Sequence, residues 1–153
     1  MRPFARRTLS LTLLAALSAT CGTALAANPP APAGGLGESW PNASDVSSSS
    51  NWHVYVFQRG NTRYFQVNDA QGKVRGAFAR TPYALVGLPI GSDAANLATP
   101  DEPLPRPASV AGETIYRGNG IQVFVAPQTD GTARLMAVMG DCTNPAVCSV
   151  PRQ

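Results

Sequence analysis

The sequence predicts a small all-β domain, an antiparallel sandwich or barrel of about six to seven strands built from two meanders, with a disordered N-terminal leader. Short runs rich in β-branched and aromatic residues recur through residues 51–153, separated by turn residues. A stretch holding Pro100, Pro103, Pro105 and Pro107 divides these runs into two groups. Between Asn51 and the C-terminus no segment carries the 3.6-residue apolar period of an amphipathic helix.

The first group starts at Trp52-His53-Val54-Tyr55-Val56-Phe57-Gln58, whose side chains suit a pleated surface. Arg59-Gly60-Asn61 is a short loop, and Thr62 to Asn68 is the returning strand of a hairpin. Asp69-Ala70-Gln71-Gly72 turns the chain again into Lys73 to Ala79. Tyr83 to Ile90 is apolar enough for a buried strand, although it holds Gly87 and Pro89. Ser92 to Leu97 fits a helical turn capped by Ser92. Thr99 to Pro107 is excluded from helix and central strand by its prolines. The second group runs from Glu113 to Arg117, turns at Gly118-Asn119-Gly120, continues from Ile121 to Ala126, and returns from Ala133 to Met139. Asp130-Gly131 is the hairpin signal between the last two strands. The first strand is apolar on both faces, Trp52, Val54 and Val56 alternating with His53, Tyr55 and Phe57. Either a second layer covers each face, or one face is left for a partner.

Upstream of this domain the chain has the order of a secretory signal. Arg2, Arg6 and Arg7 precede an apolar run from Leu9 to Thr20, and Ala24-Leu25-Ala26 is a small-residue cleavage site. Residues 1–26 are therefore expected to be a cleaved signal peptide and Ala27 the first mature residue, with a periplasmic or secreted product and no stable membrane insertion. The alternative is a lipoprotein anchored through Cys21. Residues 27–50, rich in Pro, Gly and Ser, are expected to be a flexible leader, with Trp40 the one residue suited to docking on the domain. Removing Arg2, Arg6 and Arg7 from the 12 basic residues leaves 9 against 9 acidic ones. A neutral mature chain without a Lys/Arg cluster has no electrostatic footprint for nucleic acid.

Cys142 and Cys148 remain after cleavage, an even pair suited to an oxidising compartment. The Asn144-Pro145 turn between them favours a disulfide, a structural staple worth about 2 kcal/mol in the chain-entropy picture. The C-x5-C spacing is not a redox motif, and two cysteines with one distant histidine do not make a zinc site.

Chemistry is sparse. His53, the single histidine, has no nucleophile or acid beside it in the sequence. Asp101-Glu102, the one adjacent carboxylate pair, sits in the Pro-rich loop and reads as loop solvation. No phosphate loop, dinucleotide fingerprint or calcium loop is present, so neither cofactor nor metal is implied. The first meander instead interleaves Trp52, Tyr55, Phe57, Tyr64, Phe65 and Phe78 with Arg59, Arg63, Arg75 and Arg80. These aromatics serve a core and cross-strand pairs; aromatic residues with Arg are also what protein interfaces favour. The binding residues expected on that ground are Arg59, Arg63, Tyr55, Phe57, Tyr64 and Arg75. The function implied is a non-enzymatic binding protein of the bacterial envelope or extracellular space, such as an inhibitor, an immunity-type protector or an accessory subunit. Its expected partner is another protein. The alternative is a small exported hydrolase or ligand-binding protein with scattered site residues gathered around His53.

Overall fold

Alternating side chains and tight turns give the first four strands, β1 Trp52–Arg59, β2 Thr62–Asp69, β3 Val74–Arg80 and β4 Leu85–Leu88. They form one antiparallel sheet in chain order in the computed structural model, which describes residues 35–151. The signal segment, Cys21 and Ala27 lie outside the described residues. The second sheet has the order β5-β8-β7-β6, with β5 Leu97–Ala98, β6 Glu113–Gly118, β7 Ile121–Pro127 and β8 Ala133–Met139. β5 runs parallel to β8, and the other pairs are antiparallel. Two separate sheets make a sandwich.

Its core is the pair of inward faces. Trp52, Val54, Phe65, Val67, Phe78 and Leu85 of the first sheet meet Ile115, Ile121, Val123, Val125, Leu135 and Ala137 of the second. Phe65 and Tyr116 approach across this interface, ring centroids 5.6 Å apart. A register shift between Thr114 and Tyr116 lets adjacent Ile115 and Tyr116 both be buried, which strict alternation forbids. Leu97 packs directly on Gly76: a Cβ there would stand 2.5 Å from its side chain, which would have to shift.

The doubly apolar first strand has both faces covered by its own chain from Trp52 to Tyr55, while Phe57 is only partly buried. By register, Tyr55 lies opposite Gln66 and His53 opposite Asn68 on the outward face, yet Tyr55, Gln66 and Asn68 are all buried. The cover is the last part of the predicted leader. Gln66 accepts from the Gly37 amide at 2.6 Å and donates to the Glu38 carbonyl at 2.7 Å, and Asn68 donates to the Ser39 carbonyl at 2.6 Å. Trp40 packs over Gly72, where any Cβ would collide with the indole, and meets His53 edge-on at 5.5 Å. Further along, Asp45 bridges to Tyr55 and the Val46 amide donates to the Val54 carbonyl. Composition extends the leader to residue 50, whereas residues 37–48 are laid onto the domain by remote partners.

The outer face of the second sheet is covered in the same manner. Phe124, Ala126 and Met136 pack with Ala98, with Leu104 from the Pro-rich loop and with Ala146 from α1, Pro145–Cys148. Gln122 donates to the Gly140 and Cys142 carbonyls, and the Leu104 amide donates to the Ser149 carbonyl. The Cys142–Cys148 disulfide is formed, with Cα atoms 6.4 Å apart. The predicted Asn-Pro turn is the start of α1: Asn144 accepts from the Ala146 amide and Pro145 occupies the first turn, where its missing N–H costs nothing.

The Ser92 cap is corrected. The helical turn is a 3-10 segment, Ala94–Asn96, and the residue at its cap position is Asp93, which makes no side-chain cap bond. The Asp93 carboxylate is spent on Arg75, and the amides of Ser92 and Asp93 donate to the carbonyls of Val74 and Arg75. Tertiary partners outcompete local capping here.

Candidate functional site

Two turns lie at the same end of the first sheet. In the β1–β2 hairpin, Gly60 takes a positive φ of 57°, which closes the loop between paired Arg59 and Thr62. In the β3–β4 turn, the Thr81 hydroxyl accepts from the amides of Tyr83 (3.2 Å) and Ala84 (2.9 Å), and the Thr81 amide donates to the Ala84 carbonyl. This holds Pro82-Tyr83 out at the tip, and Tyr83 is 94% exposed.

Between the turns lies an open concavity of about 300 Å³ lined by Gln58, Asn61, Arg63, Arg80, Thr81 and Pro82. Arg63 and Arg80 are direct cross-strand partners. Among the described residues neither they nor Arg59 has a carboxylate within 4.0 Å; every ion pair there involves Arg75 or His53. Arg80 rests against the sulfur of Met139. Asp101, beyond β4, is occupied by the Leu85 amide, and Asp141 lines a separate cavity with Pro100 and Cys142. On the outward face Phe57 pairs with Tyr64, and with Leu36, Gln58 and Arg59 they line a second shallow hollow.

The structure thus brings Arg59, Arg63, Phe57 and Tyr64 to one end of the sheet. The other two expected binding residues lie elsewhere. Tyr55 is buried beneath the leader; burial, then the charge of Asp45, pushes its phenol above the ordinary range. Arg75 is the extra residue of a bulge, since Val67 pairs with Gly76 and Asn68 with Val74. A bulge re-aims its side chain. Arg75 reaches Asp93 at 2.5 Å, Asp69 at 3.5 Å and the Gly131 carbonyl at 3.1 Å, with its guanidinium over the Trp52 ring. It clamps the first sheet to the β7–β8 turn. Arg80 and Tyr83 join the site instead. The sequence predicts a buried strand from Tyr83, whereas β4 begins at Leu85 and Tyr83 stands exposed in the turn before it; nothing local reveals that Arg80 faces Arg63.

His53 has an acidic neighbour after all, from the leader. Its Nδ1 stands 2.8 Å from Asp45 Oδ2. Burial raises the Asp45 carboxyl, but hydrogen bonds from His53, the amides of Ser47 and Val54 and the Ser47 hydroxyl outweigh it and hold it below the usual carboxylate range. Among the described residues the ring makes no hydrogen bond to a hydroxyl or thiol, so a base and its orienting acid stand together without a nucleophile. With Trp40 on one side and Tyr55 on the other, the pair secures the leader to β1. Asp101 and Glu102 are also employed: their carboxylates accept from the amides of Leu85 (2.6 Å) and Gly87 (2.7 Å), capping the free edge of β4. The expected loop solvation is edge protection.

No protein family, curated protein or solved structure matches this chain. Among the described residues no helix is long and apolar enough to cross a membrane, and no cluster of ligating side chains forms a metal site.

Proposed function

We propose that this is an exported, non-enzymatic binding module of the cell envelope or extracellular space, engaging an acidic surface of a protein partner through the end of its first sheet. The observation that carries this reading is a 94% exposed Tyr83 at the same end of the sheet as Arg59, Arg63 and Arg80, with no carboxylate in the sequence of either turn segment, 57–64 or 79–86. Tyr and Arg dominate the energetics of protein interfaces because they bury large area and pair with carboxylates at modest entropy cost. The leader satisfies the outward face around Gln66 and Asn68 and leaves Phe57 and Tyr64 partly open, while Arg63 and Arg80, in register with inward Phe65 and Phe78, lie at the open end of the sandwich. The disulfide accords with an oxidising compartment. Export by signal cleavage predicts an intact mass beginning at Ala27 without an acyl chain, and a lipid on Cys21 would overturn the soluble product.

The test is affinity capture from envelope extract, comparing wild type with Tyr83→Ala and with the double variant Arg59→Ala/Arg63→Ala. Each is expected to weaken capture roughly 10- to 30-fold, the scale of losing an interface anchor, while far-UV CD and melting are retained. Full capture by both variants, with loss on altering the Pro100 to Pro107 loop, would move the site to that loop.

A further inference from the structure

The Arg63–Arg80 pair breaks a local rule, with the contact of Arg80 to the Met139 sulfur as its one structural partner among the described residues. Like charges directly opposite on a sheet destabilise it. Here the register places the two residues face to face, and no carboxylate lies within 4.0 Å of either among the described residues. By contrast Arg75, a few residues away, is paired twice and also bonds a carbonyl. The concavity that the pair lines adds neutral donors: the amides of Gln58 and Asn61, although Gln58 also donates to the Gly60 carbonyl at 3.2 Å. Departures of this kind from local consistency concentrate at functional sites.

We infer that this concavity is an oxyanion receptor, taking one carboxylate or phosphate group between the two guanidinium groups. Guanidinium groups present rigid forks of N–H donors matched to the paired oxygens of such anions, and an anion bound between the two arginines would offset their mutual repulsion. The inference rests on the proposed binding end and specifies its chemistry: the anchor that a partner would offer is a single acidic group, with the exposed Tyr83 supplying apolar contact beside it.

The exported, disulfide-bonded protein is titrated with inorganic phosphate, and separately with N-acetylglutamate amide, at ionic strength matched with chloride. Melting temperature and the Arg Nε–Hε resonances are followed. Saturable shifts of the Arg63 and Arg80 resonances are expected, with a melting temperature that rises with the anion beyond the chloride control. A response to glutamate assigns the acid to a protein side chain, and a response to phosphate alone assigns it to a phosphorylated group or free phosphate; either supports the receptor. Arg63→Gln and Arg80→Gln should each weaken binding about tenfold, while leaving anion-free stability unchanged or higher because a repulsion is relieved. Arg117→Gln, on exposed β6, should leave binding unchanged. No effect of either anion beyond chloride, or full binding by both Arg→Gln variants, overturns the receptor. Anion binding that survives Tyr83→Ala while capture is wild-type in every variant overturns the proposed binding end and leaves the receptor standing.

Discussion

Replacing Gln66 by Ala tests how the leader is held. Gln66 is wholly buried on the outward face of β2 and makes three hydrogen bonds, accepting from the Gly37 amide and donating to the Glu38 carbonyl and to Asn68 Oδ1. Gly37 and Glu38 are exposed, so water can replace Gln66 for both once the contact is lost, at about 1 kcal/mol each. Asn68 Oδ1 is buried and is left without that donor, a penalty of about 1–3 kcal/mol. Together the loss comes to about 3–5 kcal/mol, provided that the leader stays in place. It has a ceiling, however. Once the cost exceeds the free energy of docking, residues 35–45 detach and the damage stops there. Gln66→Ala and Trp40→Ala should therefore be less than additive, because each releases the same segment. Urea unfolding gives the stability change, and hydrogen exchange at Gly37 and Val46 reports the leader directly. Gln66→Ala should accelerate exchange at Gly37 far more than in the β7–β8 ladder. A stability change below about 0.5 kcal/mol with unchanged exchange would refute the amide clamp, since surface-neutral substitutions fall in that range.

Three further outcomes follow from the same geometry. The Asp45 carboxyl is held below its ordinary value of 3.8, so the unfolded chain binds its proton first. Its contribution is present above about pH 4 and lost as pH falls through the lower folded value; melting curves from pH 6 to 2.5 should show a smaller acid-side drop in Asp45→Asn than in wild type. Alkylation of the native exported protein should find no free thiol, and reduction of Cys142–Cys148 should cost about 2 kcal/mol, read as a lowered melting temperature. Asp101→Ala/Glu102→Ala removes the caps from the Leu85 and Gly87 amides, and light scattering should detect concentration-dependent self-association absent in wild type.

Both open edges of the first sheet carry acidic caps. Open sheets expose unpaired amides that invite another strand. The β1 edge is met by Asp45, whose Oδ1 accepts from the Val54 amide, and the β4 edge by Asp101 and Glu102. The chain therefore uses acidic side chains from irregular segments where a further strand would otherwise bind.

Local information determined most of the strands. β-branched and aromatic runs mark β1, β2, β3, β6, β7 and β8, and Gly60, Gly72 and Asp130-Gly131 mark their turns, because strand and turn preferences act over a few neighbouring residues. The disulfide was equally legible from two cysteines flanking Asn-Pro. β5 was not, since Leu97-Ala98 is a two-residue strand whose only support is its parallel pairing with Leu135 and Met136. The order of residues 37–48 was hidden for the same reason: a Pro, Gly and Ser composition describes what a segment cannot do alone, and the amides of Gln66 and Asn68 supply what it lacks. The site divides along this line. Arg63 and Arg75 have the same character in sequence, each set among aromatics in the first meander. One bulge sends Arg75 to Asp69 and Asp93, while unbroken register sets Arg63 against Arg80. Which arginine is a clamp and which has no carboxylate partner among the described residues is decided by contacts between residues far apart in the chain, and only the tertiary structure contains them.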